Sequence, residues 1–154
     1  MSEYSATIRW RRGDDKFIDD KYSRGHEWTF DGGLTVPASA SPEIVPLPMS
    51  VADNIDPEEA FVASLSSCHM LFFLAIAAKS RFVIDDYTDA ATGRMEKNAE
   101  GKEAMTKVVL RPCATWSGAR IPDRAQIEKM HDRAHELCFI ANSVKTEVIT
   151  EIVA

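Results

Sequence analysis

The sequence predicts an α+β protein, in which antiparallel β-sheets pack around a long apolar central helix with a second helix beside it. Three observations predict this class. Runs that alternate between apolar and polar residues stand near both ends of the chain. Residues 60–78 form a long apolar stretch between them, and residues 122–139 carry apolar side chains at helical spacing. The length of 154 residues suits one domain, which we expect to span residues 1–154.

Alternation predicts the first strands. Residues 4–10 carry apolar or aromatic side chains at every second position, and so do residues 26–30, where the first such residue is His26. The second run ends in Asp31-Gly32-Gly33, which is typical of a hairpin turn, so residues 34–36 are the expected return strand. Residues 37–56 hold four prolines and are predicted to form an irregular connection.

The long helix has a strong start signal. Asp56 is a good N-cap, Pro57 suits the first helical position, and Glu58 and Glu59 complement the positive end of the helix dipole. Glu59 follows Asp56 at the spacing of a capping box. We expect this helix to end near residues 79–81, where cations favour a helix C-terminus.

The remaining elements follow in order. Residues 82–87 and 107–116 are two strand-like runs, and a second helix is expected from Pro122 to about Phe139. Residues 144–152 alternate again and predict a half-buried last strand. Because the long helix is apolar on most sides, one small sheet cannot cover it, and we expect a partner subunit to do so.

Composition and charge exclude several classes of function. The formal net charge of −6 at pH 7 argues against non-specific nucleic-acid binding, because a negative protein repels phosphate. The first residues lack the pattern of a signal peptide, so we expect a cytoplasmic protein. Residues 60–78 are long enough to span a bilayer, but five polar side chains within residues 64–69 would lie at its centre. We therefore expect a buried core helix and no membrane contact.

The three cysteines include no CxxC pair, and in a reducing compartment they do not indicate a disulfide framework. Cys68 lies about twelve residues into the long helix, where the helix dipole no longer favours a thiolate. A lowered pKa of this thiol would need another group, and arginine is the best candidate because it stays charged. Taken alone, Cys68 also fits an inert core thiol.

Cys138 follows His131 and His135 at spacings that place all three on one helix face. This pattern fits a metal half-site, a thiol beside an imidazole, or two histidines that merely border the core. Nothing nearby has the spacing of a further ligand, so we expect no metal and no cofactor. Cys113 lies in a strand-like run without polar neighbours and is expected to be structural.

Two segments together resemble the OsmC/Ohr family: DPEEAFVASLSSCHM at residues 56–70 and AHELCFIANSVKTEV at residues 134–148. In that family a Pro-Glu segment opens a central helix that carries a first cysteine, and a second cysteine ends a later helix before the last strand. The resemblance covers most of the chain in order. It implies an OsmC-like fold, an intertwined homodimer and thiol-dependent reduction of organic hydroperoxides, with this chain as a divergent member.

The resemblance implies catalytic roles for four residues. Cys68 matches the peroxidatic cysteine, and Cys138 matches the resolving cysteine with which it forms a disulfide. Glu58 matches the family's glutamate, and Arg24, close to the first hairpin, is the best match to its arginine. In this mechanism Arg24 stabilises the thiolate, Glu58 holds the guanidinium, and an external dithiol of lipoyl or thioredoxin type reduces the disulfide.

Two residues depart from the family pattern. His69 replaces an aromatic residue that is common after the first cysteine, and Phe139 replaces a proline that is common after the second. Both departures affect the shape of the pocket and leave the thiols in place. Apolar side chains near Cys68 would suit an alkyl or aryl peroxide better than hydrogen peroxide; they are Phe61, Leu65, Met70 and Phe72.

Two other functions stay open. One is a metal-binding protein that uses His131, His135 and Cys138, joined by Cys68 or His69. The other is a non-catalytic, stress-associated interaction domain in which both cysteines are structural.

Helix geometry leads to a prediction about the dimer. Glu58 and Cys68 are separated by about 15 Å along the helix axis and lie on different faces of it. Glu58 therefore cannot reach a residue that contacts Cys68 of its own chain. We expect two composite sites in a symmetric dimer, where Glu58 and Arg24 of one chain serve Cys68 of the other.

Overall fold

The computed structural model describes residues 1–154. The chain, which its length predicts to be one domain, divides into two compact units, Met1–Ala60 and Phe61–Ala154. The boundary falls in the first turn of the long helix, so each unit contains part of that helix.

The first unit is built on a three-stranded antiparallel sheet. Its strands are β1 (Ala6–Arg9), β2 (His26–Phe30) and β3 (Thr35–Ala38), in the order β1-β2-β3. The hairpin between β2 and β3 turns at Gly33, whose φ of +93° suits glycine. Strands β1, β2 and β3 confirm the three strands that the sequence predicts. Strand β3 extends to Ala38, two residues beyond the predicted return strand. Its Pro37 is tolerated because β3 is an edge strand.

The long helix α1 spans Pro57–Lys79, as the start signal predicts. The capping box is formed: the Asp56 carboxylate accepts from the Glu59 N–H at 2.8 Å, and the Glu59 carboxylate accepts from the Asp56 N–H at 3.2 Å. The chain leaves the helix at Arg81, whose φ of 64° lies in the left-handed region.

The second unit contains two further sheets and the helix α2. Strand β4 (Val83–Asp89) pairs antiparallel with β7 (Pro112–Ser117). The other sheet has the order β5-β6-β8, formed by Thr92–Lys97, Glu103–Leu110 and Glu147–Thr150. Helix α2 spans Arg124–Leu137 and is followed by a short 3₁₀ turn, Ala141–Ser143.

The structure differs from the sequence-based expectation at three places in this unit. The run over residues 107–116 is two strands, because the Arg111 N–H donates to the Asp89 carboxylate at 2.5 Å and interrupts the ladder. Strand β5 was not predicted, because all six of its residues are exposed and show no alternation. Strand β8 pairs parallel with β6, whereas the other pairs of strands are antiparallel.

Helix α1 buries only one narrow line of side chains within the chain. Four residues at four-residue spacing are buried: Leu65, His69, Phe73 and Ala77. Leu65 packs with the β6 residues Val108 and Leu110, and Phe73 and Ala77 pack in the core shared with α2. Elsewhere on the helix apolar surface remains open, and Leu71 is 59% exposed. By length and composition alone, α1 is the one helix that could cross a membrane.

Candidate active site

The structure brings two of the predicted site residues into contact. Cys68 is half-buried in the middle of α1, and Cys138 caps the C-terminus of α2 with 1% of its surface exposed. The two thiols lie within hydrogen-bonding reach of each other, and both are free. The two cysteines are 70 positions apart in the sequence, so folding alone creates this pair.

The environment of Cys138 keeps its thiol protonated at neutral pH. Burial raises the pKa of Cys138, and the contact with Cys68 raises it further. The N–H of Ala141 donates to the Cys138 sulfur at 3.4 Å and acts in the opposite direction. Cys68 is half-buried, whereas Cys138 is almost completely shielded from solvent.

The third cysteine lies apart from this pair. Cys113 is half-buried in β7 and is paired across the ladder with Thr88 of β4. No hydrogen bond links its sulfur to another residue. Its place in the sheet agrees with the structural role expected for it.

Arg24 has a partner that the sequence did not indicate. Its guanidinium donates to the Asp20 carboxylate at 3.0 Å, to the Asp20 carbonyl at 3.0 Å and to the Tyr22 carbonyl at 2.6 Å. It also stacks over the Tyr22 ring at 3.6 Å, and its side chain is 14% exposed. Asp20 has a φ of 64°, and this tight turn places its carboxylate beside Arg24. These three bonds use three of the five N–H donors of the guanidinium.

Glu58 is not paired with Arg24 within the chain. Its Oε2 atom is buried and has no hydrogen-bond partner. The Arg24–Glu58 pair implied by the resemblance is therefore absent from the single chain, where Arg24 forms an ion pair with Asp20 instead. The buried carboxylate oxygen of Glu58 therefore lacks a hydrogen bond within the single chain.

Aromatic side chains surround Arg24 in the first unit. Trp10, Phe17 and Tyr22 form one cluster, with Phe17 and Tyr22 stacked at 4.6 Å between ring centres. Together with Arg24 and His26 they line a cavity of about 490 Å³. The sequence offered no signal for this cavity, because Phe17 and Tyr22 lie in a connection without regular structure.

A buried pair of histidines joins the two helices. His69 of α1 and His131 of α2 are 1% and 2% exposed, and His69 Nε2 lies 2.9 Å from His131 Nδ1. Burial lowers the pKa of His69 to about 4 and that of His131 to about 3, so both rings are neutral near pH 7. The sequence carries no signal for this pair, because the two histidines are 62 positions apart and lie on different helices.

The other histidine of the predicted half-site lies outside this pair. His135 is exposed on α2, and no group of three His, Cys, Asp or Glu side chains could hold a metal ion. Of the three residues in the half-site pattern, His135 is therefore exposed to solvent, whereas His131 and Cys138 are buried in the core.

Leu65 and Phe72, two of the apolar residues predicted to lie near Cys68, have different environments in the structure. The prediction that Leu65 lines a substrate pocket is wrong for the single chain, because Leu65 is 1% exposed and packs on Val108 and Leu110 in the core. Phe72 remains half-buried and packs edge-on against Phe139, with 4.9 Å between ring centres.

The chain is similar to known proteins in both sequence and fold. The OsmC-like protein family matches residues 51–153 of the chain. An OsmC-like protein of unknown function from Vibrio cholerae is 60% identical; the match covers 99% of this chain and 100% of that one, with a TM-score of 0.98. No curated protein matches the chain by sequence.

Two more distant structures share the fold. An organic hydroperoxide resistance protein OsmC from Legionella pneumophila is 15% identical, with a TM-score of 0.70 over 99% of this chain and 96% of that one. The organic hydroperoxide resistance protein OhrB of Bacillus subtilis is 17% identical, with a TM-score of 0.65 over 98% of each chain. Helix α1, Cys68 and Cys138 all fall within the matched residues, and the chain belongs to the OsmC-like family.

Proposed function

We infer that this protein is a cysteine-based peroxidase that reduces organic hydroperoxides with electrons from an external dithiol. The observation that carries the proposal is the contact between the half-buried Cys68 thiol and the buried Cys138 thiol. A peroxidatic cysteine must meet its substrate, and a resolving cysteine must lie beside it. The fold shared with two organic hydroperoxide resistance proteins supports the same function.

The reaction has three balanced steps. The Cys68 thiolate attacks the distal oxygen of the hydroperoxide, the O–O bond breaks, and the alkoxide takes up a proton and leaves as an alcohol. The sulfur of Cys138 then attacks the Cys68 sulfenic acid, and hydroxide leaves with the Cys138 proton as water. An external dithiol of lipoyl or thioredoxin type reduces the Cys68–Cys138 disulfide by exchange and becomes a disulfide itself.

In this proposal Arg24 and Glu58 complete the site from a second chain. A guanidinium stabilises the Cys68 thiolate and stays charged at every working pH. Glu58 lies on the same continuous helix as Cys68, about 15 Å away along the axis, so it cannot serve its own thiol. The two unused N–H donors of Arg24 and the unpartnered oxygen of Glu58 are groups that such a composite site would engage.

The exposed surface of α1 supports the proposed homodimer. Apolar side chains outside its single buried line are open in one chain, and a second copy would remove them from water. The proposal places the protein in the cytoplasm, where reducing conditions keep the three thiols free between turnovers. It needs no cofactor or metal ion.

Thiol mapping tests the proposal directly. One equivalent of cumene hydroperoxide should consume two thiols per chain and join Cys68 to Cys138, because these are the thiols in contact. Cys113 should remain free, since it lies apart in β7. Mass spectrometry of the alkylated, digested protein checks both statements. A disulfide that includes Cys113, or no loss of thiol at all, would refute the two-cysteine mechanism and favour structural cysteines.

A second test concerns the substrate. We expect kcat/KM for cumene hydroperoxide to exceed that for hydrogen peroxide at least about tenfold, because an apolar body gains roughly 25 cal/mol for each Å² buried. Steady-state consumption of each peroxide with dihydrolipoamide measures the ratio. Equal values for the two substrates would count against an apolar site beside Cys68.

Mixed dimers test the composite site. Cys68→Ser and Glu58→Ala should each be inactive alone, whereas a mixture of the two should recover activity, since one site of each heterodimer would hold an intact Cys68 and an intact Glu58. Subunit exchange is confirmed by native mass spectrometry before the assay. The matched control pairs Cys68→Ser with Cys138→Ser, which share one site and should recover nothing. Failure of the first mixture after confirmed exchange would contradict the arrangement.

A further inference from the structure

The peroxidase proposal leaves the buried His69–His131 pair unused. The two rings are almost coplanar, at 5°, with their centres 5.2 Å apart, so the 2.9 Å contact is a well-aligned hydrogen bond. Either ring can be the donor, depending on the tautomer. Phe73, one turn after His69 on α1, stacks on the His131 ring at 3.9 Å and holds its plane.

The outer nitrogens of the pair have no partners. His69 Nδ1 and His131 Nε2 are buried and make no hydrogen bond. Two unsatisfied ring nitrogens cost stability, and an apolar pair of similar volume would avoid that cost. Native proteins keep few such groups, and each calls for an explanation beyond packing.

The position of the His69–His131 pair beside the two thiols offers an explanation for keeping it. His69 is the residue after Cys68 on α1, and His131 and Cys138 lie on one face of α2. The helices are therefore linked twice, by the two imidazoles and by the two thiols. The imidazole link is directional, whereas the packing of Met130 and Ala134 around it is apolar and has no preferred direction.

We propose that His69 and His131 are positioning residues, whose hydrogen bond sets the relation of α1 to α2 that keeps Cys138 within bonding distance of Cys68. This inference rests on the proposed peroxidase function. Neither imidazole touches the substrate. A disulfide requires a narrow range of distance and orientation between its two residues, so a small shift of α2 along α1 separates the sulfurs.

Its consequence is a choice between two fates of the oxidised thiol. The Cys68 sulfenic acid either condenses with Cys138, or meets a second hydroperoxide molecule. In the second case the sulfur gains another oxygen to become a sulfinic acid, and the hydroperoxide leaves as an alcohol. With the link intact, the disulfide forms first. Without it, sulfinic acid accumulates although the first oxidation of Cys68 is as fast as before.

Two substitutions of nearly equal size at one position separate the hydrogen bond from the packing. His131→Asn places an amide where Nδ1 stood and keeps a partner for His69, whereas His131→Leu removes that partner. After a fixed excess of cumene hydroperoxide, we expect the ratio of sulfinic acid to disulfide at Cys68 to rise about fivefold or more in His131→Leu, the order that one hydrogen bond supports. In His131→Asn the ratio should stay within about twofold of the wild-type value.

Two controls exclude a general loss of structure. Met130→Ala removes a buried neighbour on α2 and lowers stability without touching the link. His135→Leu removes the exposed histidine of the same helix. Neither should change the ratio. If His131→Leu does not fold, His69→Met against His69→Gln repeats the comparison from α1.

A second readout keeps this inference separable from the peroxidase proposal. Diamide oxidises a dithiol directly, without a hydroperoxide, and the rate of Cys68–Cys138 closure can be followed with it in every variant. Slower closure in His131→Leu but not in His131→Asn supports the positioning role even if wild-type protein does not react with hydroperoxides. Equal closure rates and equal sulfinic acid ratios in the two variants would overturn it.

Discussion

Replacing Cys68 by serine is expected to lower the rate of cumene hydroperoxide consumption by about a thousandfold or more, because a hydroxyl cannot replace the thiolate as the nucleophile. The measurement is steady-state turnover with dihydrolipoamide at neutral pH. The substitution adds no bulk at a half-buried position of α1, so folding should be unchanged, and circular dichroism checks this.

The other two cysteines are the matched controls for this loss. Cys113→Ser should retain wild-type turnover, since Cys113 lies in β7 away from the thiol pair. Without added dithiol, Cys138→Ser should consume about one equivalent of hydroperoxide per chain and retain a sulfenic acid at Cys68 instead of a disulfide, because it lacks the resolving thiol. Turnover that survives in Cys68→Ser would exclude Cys68 as the nucleophile.

The buried histidines should make the protein sensitive to acid. Their pKa values in the folded chain, about 4 for His69 and about 3 for His131, lie below the value of an unfolded histidine. At acidic pH the unfolded chain therefore binds more protons than the folded chain does. The free energy of unfolding decreases as the pH falls below about 6.5. Each histidine changes the free energy of unfolding by at most about 1.4 kcal/mol per pH unit. Together the two histidines should therefore lower the free energy of unfolding by about 2 to 4 kcal/mol between pH 7 and pH 5.

The groups around the pair act in different directions, and burial dominates. Asp89 of β4 favours a charged His69, whereas His135 on α2 opposes it. Arg124 of α2 likewise opposes a charge on His131. The pair therefore stays neutral until well below physiological pH.

Urea unfolding at pH 7 and pH 5, at one protein concentration, measures this acid sensitivity. The double variant His69→Gln with His131→Asn keeps two hydrogen-bonding amides but has nothing to protonate, and it should lose clearly less stability between the two pH values. His135→Gln should lose nearly as much as the wild type, because burial, the largest cause of the low pKa of His69, is unchanged and only the smaller opposition from His135 is removed. An equal loss in the wild type and in the double variant would show that other groups cause the acid sensitivity.

Local patterns were sufficient for the elements whose signals lie in neighbouring residues. The capping box at Asp56 and Glu59 involves residues three apart, and it predicted the start of α1. The hairpin at residues 31–33 and the alternation of β2 are equally local. Where a distant residue intervened, prediction was wrong: Asp89 breaks the run at Arg111, and nothing within residues 107–116 indicates that break.

The same division holds for the candidate site. Neighbouring residues were enough to predict the helices that carry Cys68 and Cys138, and helix geometry separates Glu58 from the thiol of its own chain along α1. The contact of the two thiols and the bond between His69 and His131, across 62 positions of sequence, could not be predicted in this way. Helix caps and alternation depend on residues a few positions apart, whereas these two contacts depend on how whole elements pack against each other.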